Sequence, residues 1–137
     1  MKEITYEKLT TAAEIALETA KAMHIPVTLV FLDSDTRLRF LYRDPDALLV
    51  SLDLAQTKAY SAYALKMDTL DIGKATSPGA PLQSLEASTK GAITAVGGGL
   101  PFIDAEGKLL GAVGVSGAAD PRDDRKIAAV FLAGLMV

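Results

Sequence analysis

Three glycines in a row, Gly97-Gly98-Gly99, followed by Leu100-Pro101, are the feature of this 137-residue chain best suited to chemistry. Successive backbone N–H groups in such a run can converge on an anion, as they do in nests. The run is not a Walker phosphate loop, because no Gly-Lys-Ser or Gly-Lys-Thr follows it. Its other reading is a bulged entry into a strand that needs positive φ. Lys58 offers a counter-charge. It follows Ala55 by three positions on a predicted helix, where it could neutralise a carboxylate or phosphate near Gly98 and Gly99. The plainer reading is a solvated lysine.

Asp33 and Arg43 bracket a predicted hairpin. They read either as an ion pair, worth under about 1 kcal/mol if exposed, or as an Arg43 guanidinium that grips an acidic ligand with two hydrogen bonds. Ser116 lacks a nearby base, and only His24, the single histidine, could supply one. A turn or ligand hydrogen-bonding role suits Ser116 better than nucleophilic attack. Asp120, Asp123 and Asp124 do not fit an EF-hand loop, and the start of a helix accounts for them. The absence of cysteine excludes disulfides, thiolate nucleophiles, zinc–thiolate sites and iron–sulfur clusters. No metal site is assigned, and no paired acid and base can be named as catalytic residues.

The elements that must hold these residues are legible for most of the chain. Leu9, Ala12, Ala13, Ala16, Ala20 and Met23 recur at helical spacing, which predicts a helix over 5–23 with Thr5 as its N-cap and an end near His24, ahead of Pro26. Val27 to Leu32 reads as a strand covered on both faces, joined through Asp33-Ser34-Asp35-Thr36 to a strand over 38–42. A second helix is expected to open at Asp44-Pro45-Asp46 and run to about Lys66, with Ala55, Ala59 and Ala62 as a small-residue stripe open to close backbone approach. Residues 68–90, broken by Gly73, Pro78, Gly79 and Pro81, predict an irregular segment with one or two helical turns. A second hairpin follows, from Gly97 through Asp104-Ala105-Glu106-Gly107 to Ser116. Gly111 and Gly114 weaken its second strand unless something packs or binds tightly there. Asp120-Pro121 starts the last helix with a cap and a proline at its first position. Adjacent hairpins favour an α/β (α+β) fold with an antiparallel sheet over a doubly wound parallel one.

One domain spanning residues 1–137 is expected from the length. Half of the residues are apolar, 23% are charged and the net charge is -3. With no run of Lys or Arg, nucleic acid is not expected as a partner. No apolar run approaches the roughly 20 residues that span a bilayer, and no signal-peptide core follows Met1-Lys2-Glu3. A cytoplasmic location without membrane contact is the expectation.

Four boxes in order resemble the GlcG/HbpS family, which includes the C-terminal domain of PduO. They are Val30-Phe31-Leu32-Asp33, Arg43-Asp44-Pro45-Asp46-Ala47, Ala55-Gln56-Thr57-Lys58-Ala59-Tyr60-Ser61-Ala62, and Gly98-Gly99-Leu100-Pro101-Phe102 joined through Gly107 to Gly111-Ala112-Val113-Gly114-Val115-Ser116-Gly117. The resemblance covers nearly the whole chain. It implies a profilin-like fold, a central antiparallel sheet with helices on its faces, and homo-oligomers from dimer to octamer. It also implies haem or corrinoid as cofactor. The adenosyltransferase activity of PduO resides in its other domain and is not carried over. His24 would be a haem ligand alone or with a non-histidine partner, whereas its commoner role is a helix C-terminal cap.

Three functions remain open on these grounds. The first is a binding protein for haem, a corrinoid or a small organic acid, associated with glycolate- or diol-type metabolism, with Arg43, Lys58, Gly98, Gly99 and Ser116 at the site. The second is an enzyme or accessory acting on a small hydroxy acid, diol or aldehyde. The third is an assembly protein whose alanine stripe and apolar last helix pack between subunits. The resemblance, with the glycine run and Lys58 beside it, favours a binder over a catalyst.

Overall fold

The computed structural model describes residues 3–137. Helix α1 spans Tyr6–Ala22, and the Thr5 side chain accepts a hydrogen bond from the Lys8 N–H at 3.1 Å, satisfying one of the free donors of the first turn. Its apolar stripe, Leu9 to Ala20, is buried against the last helix, α5 (Pro121–Leu135). The two approach so closely that a Cβ on Gly134 would lie 2.7 Å from the Ala12 Cβ.

Strands β1 (Thr28–Asp33) and β2 (Leu38–Arg43) form the first hairpin, and β3 (Gly99–Ile103) and β4 (Leu109–Ser116) the second. They assemble in the order β2-β1-β4-β3, every neighbouring pair antiparallel. The α+β architecture with helices on the sheet's faces is therefore as the boxes implied. One face carries α1 and α5 over Leu29, Phe31, Val113 and Val115. The other carries α2 (Val50–Leu65) over Val30, Leu32 and Ala112. Both faces of β1 are covered because helices pack on both sides of the sheet.

The alanine stripe and the glycines of β4 explain each other. Ala55, Ala59 and Ala62 are fully buried, and a Cβ on Gly114 would lie 2.0 Å from the Ala55 carbonyl oxygen. Backbone meets backbone there, so this stripe is occupied within the chain rather than offered to another subunit. The second helix starts later than the Asp-Pro-Asp box suggests. The Asp44 Oδ1 accepts from the Asp46 N–H at 2.9 Å and the Asp44 carbonyl accepts from Ala47 N–H at 2.9 Å, closing a turn before Val50. The segment after α2 holds two short helices, α3 (Thr69–Thr76), capped by Asp68, and α4 (Leu85–Ser88). No helix among the described residues is long and apolar enough to cross a membrane.

Candidate functional site

The structure gathers Lys58, Gly98, Gly99 and Ser116 at one end of the sheet, under α2 and the start of α5. It joins them as packing. Lys58 is 1% exposed; its Nζ donates to Asp124 Oδ2 at 2.8 Å and to the Val115 carbonyl at 3.0 Å. The other carboxylate oxygen of Asp124 accepts from the Ala118 N–H at 2.9 Å. Burial pushes the Asp124 carboxyl up and the Lys58 ammonium down, and each partner opposes that shift in the other. The Lys58 charge thus faces a carboxylate of its own chain, where a free counter-charge for a ligand was expected. The same finding corrects the reading of Asp124 as helix-start electrostatics alone.

Gly98 adopts φ 128, and a Cβ there would lie 2.4 Å from the Val115 carbonyl oxygen and 3.1 Å from the Lys58 side chain. The Gly99 N–H donates to Thr69 Oγ1 at 2.9 Å. Positive φ and close approach account for the run. Ser116 is buried and lies in register with Thr28, whose other neighbour is Arg43, so Arg43, Thr28 and Ser116 form a row across three strands on the α2 face. The Thr28 hydroxyl is 2.7 Å from that of Ser51. Arg43 donates from Nη2 to the Ala47 carbonyl at 2.7 Å, while its buried Nε has no partner. It does not pair with Asp33, because the two sit at opposite ends of the hairpin. Arg39 is the residue facing Asp33, at 3.6 Å.

His24 stands apart from this cluster and is the expected site residue that borders open space. It ends α1 in the left-handed conformation, φ 59, with its N–H donating to the Lys21 carbonyl at 3.0 Å. Its side chain lines an open groove of 450 Å³ between the end of α1 and the end of β2. Leu17, Ile25 and Pro26 are its apolar lining, with Ala20 and Val27 buried at its wall, and Lys21, Tyr42, Asp44 and Asp46 are the polar residues around them. Among the described residues the imidazole makes no hydrogen bond or ion pair, so both ring nitrogens are available to a ligand. Tyr42 was not singled out from sequence. Its signal is the alternation of β2, which puts it on the face opposite Arg43. Among the described residues no three His, Asp or Glu side chains cluster to hold a metal ion.

Residues 4–133 match the family model described as haem degrading protein HbpS-like. The chain belongs to the HbpS-like family. Among curated relatives it is 35% identical over 120 residues to the corrinoid adenosyltransferase PduO of Citrobacter freundii, covering 88% of this chain and 36% of that protein. The HbpS-like chain thus spans about a third of that relative's length. It is 41% identical over 106 residues to an uncharacterized 15.0 kDa protein of Citrobacter freundii from the dhaT-dhaS intergenic region, covering 76% of this chain and 74% of that protein. Among solved structures, the PduOC:haem complex superposes with a TM-score of 0.88 at 32% identity, covering 97% of this chain and 95% of that one.

Proposed function

We propose that this HbpS-like chain is a binding protein for a flat tetrapyrrole, haem first, and that the ligand lies in the groove beside His24. The observation that carries the reading is the His24 imidazole, free of internal partners on a 450 Å³ groove of mixed polar and apolar lining. That volume falls in the ordinary range for small-ligand sites. Its support from outside the chain is the haem held by PduOC, a relative of the same fold and 32% identity. Histidine is a common axial ligand of haem iron, and tyrosine is another, so Tyr42 is the non-histidine partner within the same groove. Haem bound there would supply an iron centre; the chain's part would be to ligate it through His24 and Tyr42 and to hold the ring in the groove.

The buried Lys58–Gly98 cluster is assigned to the scaffold of this site rather than to the ligand. Arg43 lies on the opposite sheet face and is likewise outside the groove. A corrinoid is the competing ligand, favoured by the name of the PduO relative. Homo-oligomer formation belongs to the same proposal. Leu48, Leu49 and Val50 are 68%, 73% and 57% exposed, three consecutive apolar residues before and at the start of α2.

Haemin titration of the purified chain tests the ligand, with cobalamin as competitor. A Soret shift that cobalamin does not reverse supports haem. Binding of cobalamin with no Soret shift transfers the groove to a corrinoid. The absence of both contradicts the reading.

A further inference from the structure

The charges around the groove are not evenly placed. Lys21, in the last turn of α1, stands on one wall. Asp44 and Asp46 stand on the other, in the turn between β2 and α2. Among the described residues Lys21 forms no ion pair, and neither Asp44 nor Asp46 does. At the end of α1 the carbonyls of Ala20 and Lys21 accept hydrogen bonds from Met23, His24 and Ile25 N–H groups. The Arg43 guanidinium donates to the Ala47 carbonyl and, among the described residues, forms no ion pair with Asp44 or Asp46.

We infer that the groove orients an acidic flat ligand by charge, with Lys21 receiving its carboxylates and Asp44 and Asp46 repelling them. This rests on the proposal that a tetrapyrrole lies beside His24. For a ligand with both carboxylates on one edge, such as haem, placements that bring that edge to the ammonium and keep it from the two aspartates are favoured. Lys21 and the aspartates are therefore positioning residues, and His24 is the group that meets the metal.

The test compares haemin with its dimethyl ester, which keeps the iron and the ring and lacks the two negative charges. Both are titrated into the full chain, into Lys21→Glu and into Asp46→Asn. Lys21→Glu should weaken haemin by between about twofold and tenfold, as expected for an exposed charge contact, and leave the ester within about twofold of the parent. Asp46→Asn should tighten haemin and not the ester. Equal effects on the two ligands, or no effect of Lys21→Glu on haemin, overturn the inference. His24→Ala separates the two layers. If it abolishes the Soret shift while Lys21→Glu does nothing, the groove binds haem but does not orient it by charge. If His24→Ala changes nothing, the ligand lies elsewhere and both statements fall.

Discussion

The Lys58 ammonium and the Asp124 carboxylate meet at 2.8 Å with side-chain exposures of 1% and 3%, joining the middle of α2 to the first turn of α5 beside the end of β4. Two charges removed from water depend on each other. Losing one partner leaves the other buried and unpaired, at a cost of about 3–5 kcal/mol, whereas replacing both by apolar groups of similar volume is often neutral or stabilising. Lys58→Met and Asp124→Leu should each lower the urea midpoint strongly, and the double variant should recover most of the loss. A double variant as unstable as the sum of the singles would contradict the pairing.

Acid should expose a different carboxylate. Asp120 caps α5, and hydrogen bonds from Arg122 hold its carboxyl down to about 2. A depressed carboxyl stabilises the fold above its unfolded value, and that stability is lost as pH falls towards 2. Asp124 acts in the opposite sense: its raised carboxyl retains a proton that the unfolded chain has released, so stability falls as pH rises across that interval. Asp120→Asn keeps a capping oxygen but cannot titrate. Thermal melts from pH 5 to pH 2 should show a shallower acid slope for it than for the parent.

Gly114 is where strand and helix backbones touch. Gly114→Ala would place a Cβ about 2.0 Å from the Ala55 carbonyl oxygen, so α2 must move. Overpacking of this kind costs at least about 1–3 kcal/mol. Gly107→Ala is the control: its Cβ would meet nothing within 4 Å, and only the positive φ of 84 opposes it. The loss for Gly114→Ala should exceed that for Gly107→Ala in denaturant melts.

The exposed Leu48, Leu49 and Val50 bear on assembly. Sedimentation of the parent should show an oligomer, and Leu49→Asp should shift it towards monomer. An unchanged distribution would remove these residues from the interface.

Periodicity and caps carried most of the fold. The α1 stripe, the Thr5 and Asp120 caps and the two hairpins were legible because each rests on local rules. The start of α2 was not, because Asp44 turned its side chain onto the backbone of Asp46 and used the Asp-Pro-Asp box as a turn. The site was less legible. The glycine run, the spacing of Lys58 from Ala55 and the family boxes make Lys58 and Gly98 candidate ligand contacts, but Lys58 has a partner 66 positions away that no spacing rule connects to it. Tyr42 and Lys21 line the groove beside His24 only because the sheet register and the end of α1 bring them together.

The central claim is that His24 serves a bound tetrapyrrole. Haemin titration of the full chain and of His24→Ala, followed at the Soret band, tests it most directly. A saturable shifted band is expected for the parent, with its loss or marked weakening in His24→Ala and the thermal midpoint of the ligand-free variant unchanged. Identical titrations for the two proteins, or no shift in either, would contradict it.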